Sequence, residues 1–146
     1  MISTELARAL RRSGLIWSPA SGDNFCIERL VNSADPLDAN EVFVVSDMTI
    51  EAHSYPTGTV LGMNGTTEWA LDSVDLEDSL WLPREDQLRD LLAGTFRSLR
   101  RESAPDGSTQ FLVELEIAGR TMVYEDPDAA EAYGNALFAL LSASAS

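Results

Sequence analysis

Apolar positions recur at two spacings along this chain, and the switches between them mark out its elements. Ile2, Leu6, Ala9 and Leu10 share one face of a helical period over Thr4–Ser13, with Arg8, Arg11 and Arg12 turned outward and Gly14 as a stop. Phe25–Val31 alternates weakly, as a strand does. Glu41–Ile50 carries the strongest strand signal, the β-branched and aromatic run Val42-Phe43-Val44-Val45 followed by Met48 and Ile50. Pro56 and Gly58 make Ser54–Gly58 a turn. Thr59–Met63 is then a short strand closed by Asn64-Gly65, the dipeptide most typical of tight hairpins, with Thr66–Leu71 as its returning arm.

Pro83, Glu85 and Asp86 are first-turn residues and start a second helix. Leu88, Leu91, Leu92, Phe96 and Leu99 repeat at helical spacing, which extends that helix to Arg101, although Gly94 inside it costs about 1 kcal/mol relative to alanine. Ser103–Ser108 is a loop. Phe111, Val113, Leu115 and Ile117 alternate with Leu112, Glu114 and Glu116 in a half-buried strand, which Ala118-Gly119 turns into a partner over Arg120–Tyr124. Asp126-Pro127-Asp128 starts a last helix over Pro127–Leu141, with Ala129, Ala132, Tyr133, Ala136, Leu137, Leu140 and Leu141 as its buried stripe. The expectation is an α+β domain spanning residues 1–146, a mostly antiparallel sheet packed by N-terminal, central and C-terminal helices, with residues 142–146 frayed.

Composition adds what such a domain can do. A chain of 146 residues has the length to bury a core without disulfide or metal staples. Acidic residues number 24 against 10 basic ones, for a formal net charge of −14. Every basic residue is arginine, so lysine Schiff-base chemistry and a phosphate-loop lysine are excluded. Between Asp23 and Asp78 the sequence has twelve carboxylates and one arginine, Arg29. That balance disfavours nucleic-acid backbones and anionic lipid surfaces. Cys26 stands alone among apolar neighbours, as a buried thiol in a reducing compartment. No apolar run approaches the roughly 20 residues of a membrane helix, and no signal-peptide core opens the chain, so a soluble cytoplasmic protein is expected.

Cofactor signatures are missing: neither GxGxxG nor GxxxxGK[ST] occurs, so no cofactor is expected. His53 is the single histidine. Asp47, Glu51 and His53 alternate as residues on one side of a strand do, and could serve a small hydrolase or a metal-assisted enzyme, although polar residues at an exposed strand end are the ordinary reading. A third reading, a small-ligand-binding module, requires a cavity between sheet and helices lined by Trp17, Phe43 or Tyr124.

The acidic segment holding Asp72, Asp75, Glu77 and Asp78 lacks the glycine and distal glutamate of a calcium-binding loop. Trp69 and Trp81 flank it, and tryptophan is enriched at binding hot spots. These six residues form the expected contact surface of a non-enzymatic accessory protein. Its partner would be a protein carrying a basic patch, or a second copy of the chain presenting Arg97, Arg100 and Arg101.

The segments VVSDMTI (Val44–Ile50), NGTTEWALDSV (Asn64–Val74) and LWLPREDQLRDLL (Leu80–Leu92), with the closing AYGNALFALL (Ala132–Leu141), resemble a family of small uncharacterised bacterial proteins. Some of its members carry a pilus-assembly label, which implies an ATPase of the deviant P-loop type. This chain has no such loop and no lysine, and the shared segments have no catalytic meaning to carry across.

Overall fold

A computed structural model of the chain describes residues 1–27, 42–45, 78–144 and, as backbone, 50–55, 58–63 and 73–75. In chain order the elements are α1 (Thr4–Arg12), β1 (Asn24–Ile27), β2 (Phe43–Val44), β3 (Ile50–Tyr55), β4 (Gly58–Met63), β5 (Ser73–Asp75) and β6 (Ser79–Trp81). They continue with α2 (Glu85–Leu92), a 3-10 turn (Ala93–Thr95), β7 (Phe96–Ser103), β8 (Thr109–Ile117), β9 (Arg120–Asp126) and α3 (Ala129–Ser144). Helices and antiparallel sheets together make the α+β class, with three three-stranded sheets among the described residues. The chain divides into two compact units, residues 1–16 with 83–146, and residues 17–82.

The first unit packs α3 against α1, α2, β8 and β9. Ser3 caps α1 by accepting from the Leu6 N–H at 3.2 Å, and donates its own N–H and hydroxyl to the Glu131 carboxylate in the first turn of α3. Asp128 caps α3 in the same manner, accepting from the Ala130 N–H at 2.8 Å. Ile2, Leu6 and Leu10 from α1, Leu88 and Leu92 from α2, Val113 and Leu115 from β8, and Tyr133 and Leu137 from α3 are buried. At Gly134 a Cβ would run into the Leu6 side chain, so the bare helix surface there is what lets α1 close on α3.

The second helix is shorter than its apolar spacing suggests. It ends at Leu92, because Ala93 turns to φ 52° and the Thr95 hydroxyl takes the Leu92 carbonyl at 2.6 Å. Phe96–Arg101, expected as helix, is strand β7 in ladder with β8. A register shift between Phe96 and Ser98 sets Phe96 opposite Leu115 and Leu99 opposite Val113. Residues three apart normally fall on opposite faces of a strand. The bulge brings these two to one face, and so gives a strand the spacing of a helix.

β7, β8 and β9 form one antiparallel sheet with β8 central. Asp106, in the connection from β7 to β8, accepts from the Ser108 hydroxyl and its N–H, which hold its carboxyl below the ordinary aspartate range. The turn from β8 to β9 falls where the sequence puts it, with Ala118 and Gly119 both at positive φ (51° and 79°).

In the second unit, β1 lies between β2 and β6, while β4 lies between β3 and β5. The expected single strand over Glu41–Ile50 is divided: Phe43–Val44 pairs with β1, whereas Ile50 begins β3 in the other sheet. β3 also runs to Tyr55, inside the stretch expected as a turn. The Asn64-Gly65 turn and its arm Thr66–Leu71 lie outside the described residues, and the described partners of β4 are β3 and β5.

Candidate functional site

The residues that gather around Trp81 come from distant parts of the sequence. β1 places Phe25 between Phe43 on β2 and Trp81 on β6, in one row across the sheet. The Phe25 and Phe43 rings lie 5.6 Å apart. Trp17 covers this row, 5.4 Å from Phe25 and stacked nearly parallel on Trp81 at 6.3 Å, with 10° between the ring planes. Phe25 is fully buried, whereas Trp17, Phe43 and Trp81 are half-buried. On the other side of β1 and β6, Cys26 pairs with Leu80, and both are sealed from solvent.

The two indoles differ in how their N–H groups are treated. Trp17 donates to the carboxylate of Asp23 at 2.9 Å, and that oxygen also accepts the Ala20 N–H at 3.0 Å. Asp23 is only 4% exposed, and its backbone is held by the Val45 N–H on its carbonyl at 2.9 Å. The carboxylate therefore closes the turn before β1 and orients Trp17 at the same time. The Trp81 Nε1–H is also out of reach of water, yet it has no acceptor among the described residues. A buried donor left unpaired costs about 1–3 kcal/mol.

Around the acidic segment the chain forms two short strands. Ser73–Asp75 is β5, and Ser79–Trp81 is β6, with Asp78 half-buried just before it. Asp75 stands in the register of β5 opposite Val60, which is also the partner of His53 on β3. His53, Val60 and Asp75 thus form one row across the sheet, and Glu51, Gly62 and Ser73 form another. Asp47, Trp69, Asp72 and Glu77 lie outside the described residues. Among the described residues no three His, Cys, Asp or Glu side chains stand close enough to share a metal ion, a set that leaves out the side chains of β3 and β5. Tyr124 belongs to β9, in the other unit from Trp17 and Phe43.

Comparison with protein-family models, curated proteins and solved structures gives no match. Among the described residues no helix is long and apolar enough to cross a membrane.

The pairing of Trp17 with Trp81, and the role of Asp23, are absent from any local pattern in the sequence. The stacking depends on β1 and β6 becoming neighbours, and the backbone bond to Asp23 comes from Val45, next to β2. The one local hint is Asp23 at the end of the Ser18–Gly22 turn, directly before an apolar strand.

Proposed function

We propose that this chain is a non-enzymatic accessory protein of the cytoplasm that works by protein–protein contact. The contact surface is the acidic, tryptophan-containing region around Trp81, with Trp69, Asp72, Asp75, Glu77 and Asp78 as its other members. The partner carries a basic patch. The observation that supports this most is the treatment of Trp81. Its buried N–H has no acceptor among the described residues, a cost of about 1–3 kcal/mol that a phenylalanine would not carry. Trp81 instead remains half-buried and stacked on a second half-buried indole, as preorganised aromatic anchors are at binding hot spots. The twelve carboxylates between Asp23 and Asp78 add long-range attraction for a basic partner. A triple variant, Trp81→Ala with Asp75→Arg and Glu77→Arg, tests the reading once circular dichroism shows it folded. The unmodified chain should retain a partner from the native cytosol that the variant releases. Capture undiminished in the folded variant rejects this surface.

The row His53–Val60–Asp75 favours a second reading, a metal-assisted or hydrolytic centre on His53. In it His53 works with Asp47 or Glu51, and Asp75 stands in the same row as His53 from across β4. Calorimetric titration with zinc should show binding that is lost in both His53→Ala and Asp75→Ala. Equal heats in all three proteins end that reading.

A further inference from the structure

β9 is an edge strand: among the described residues it pairs only with β8. All seven of its residues, Arg120 to Asp126, are exposed or half-buried, including Met122 at 36% and Val123 at 44%. A long edge strand carrying exposed apolar side chains invites another strand unless charge or a bulge prevents it. The opposite edge is guarded. On β7, Arg97 pairs with Glu116 at 3.0 Å and Arg100 reaches Glu102 at 3.9 Å, and a bulge interrupts the strand. β9 has an unbroken register from Arg120 to Asp126, and Arg120 has no ion partner among the described residues.

The phase of the β8–β9 ladder decides which backbone groups of β9 are free. In a two-residue hairpin the residues flanking the turn share both hydrogen bonds, here Ile117 and Arg120. Arg120, Met122, Tyr124 and Asp126 therefore spend their N–H and C=O groups on β8. Those of Thr121, Val123 and Glu125 point away from the sheet.

We propose that β9 pairs antiparallel with β9 of a second copy of this chain, around a two-fold axis at Val123. The sequence of the strand is self-complementary about that point. Val123 meets Val123, Met122 meets Tyr124, Thr121 meets Glu125, and Arg120 of each copy meets Asp126 of the other. The free N–H and C=O groups of Thr121, Val123 and Glu125 fall opposite one another, so every outward group on the strand is bonded. No like charges meet. The two three-stranded sheets become one six-stranded sheet, which is the isologous closure expected of a two-fold dimer. Two strands of seven residues bury less than a standard interface, so association is micromolar rather than nanomolar. The proposal uses no residue of the tryptophan surface and stands or falls apart from it.

The axis makes a register-specific test available. In a hydrogen-bonded antiparallel pair the facing Cα atoms are about 5.5 Å apart, within disulfide reach. In a Cys26→Ala background, Val123→Cys should give a disulfide-linked dimer on mild oxidation. Thr121→Cys should not, because the two copies of residue 121 stand four residues apart along the paired strands, about 13 Å. Sedimentation equilibrium of the full chain, at about 0.15 M salt to screen its net charge, should show a dimer at high micromolar concentration. Val123→Pro removes an outward N–H and no β8 bond, so it should leave the circular dichroism intact and the chain monomeric. Thr121→Arg, facing Glu125 twice in the dimer, should tighten association about tenfold. A monomeric parent chain, a Val123→Pro dimer, or cross-linking at 121 equal to that at 123 overturns the proposal. Should Val123→Pro fail to fold, the cysteine comparison decides alone.

Discussion

Trp17 and Trp81 are the same residue type in one stack, yet they hold opposite positions in the energetics of the second unit. Trp17 satisfies a buried carboxylate, while the buried donor of Trp81 has no acceptor among the described residues. Replacing Trp17 with phenylalanine removes the indole donor from Asp23 and should destabilise the unit by about 1–3 kcal/mol. Trp81→Phe removes a donor with no acceptor among the described residues, so its cost should stay within about 1 kcal/mol, the loss of stacking and area being offset by the buried group removed. Urea melts of both variants, followed by the fluorescence of the remaining indoles, measure the difference. An equal loss in the two would contradict the assignment of the hydrogen bonds. At this scale the sequence singles out Trp81 and the acidic residues beside it. It gives no sign of Trp17 as the partner, because stacking across β1 and β6 follows from sheet register and not from local pattern.

The elements were legible wherever local spacing has one interpretation. α1, the β8–β9 hairpin and α3 fall within a few residues of their expected bounds, since helical stripes, alternation and a two-residue turn each have a single geometric solution. The failure is instructive. Phe96 and Leu99 stand three apart and continue the stripe of Leu88, Leu91 and Leu92, yet the chain leaves the helix at Ala93 and re-enters order as β7. A bulge allows a strand to place such a pair on one face, so the pattern itself is ambiguous. What decides it is the exit from the helix. Ala93 sits at φ 52° and ψ −132°, a conformation that strains any residue with a Cβ. Ala93→Gly should therefore raise stability by about 1 kcal/mol in a thermal or urea melt. If β7 were instead continuous with α2, the same substitution would lower it by a similar amount.

For the whole molecule, charge is the dominant collective property. Carrying −14 on 146 residues, the folded chain holds like charges together, and its stability should rise as salt screens them. Raising ionic strength from about 0.01 M to 0.15 M shortens the screening length from about 30 Å to 8 Å. The midpoint of thermal unfolding should climb over that range, and a flat or falling midpoint would show that specific ion pairs outweigh net repulsion. The fold class was readable at this scale from the order of elements alone. The candidate site was not: of its acidic members, the described Asp75 and Asp78 fall on β5 and just before β6, strands of two different sheets.

The hydrogen bonds from Ser3 to Glu131 have a consequence for the birth of the molecule. The first helix is tied at its start to a carboxylate 128 residues later in the chain, and its apolar face waits for Gly134. Residues 17–82 form a unit of their own and precede α3 in the chain, so residues 1–16 are made well before the helix that packs on them. The apolar face of α1 thus stays without α3 until residues 129–144 have been made.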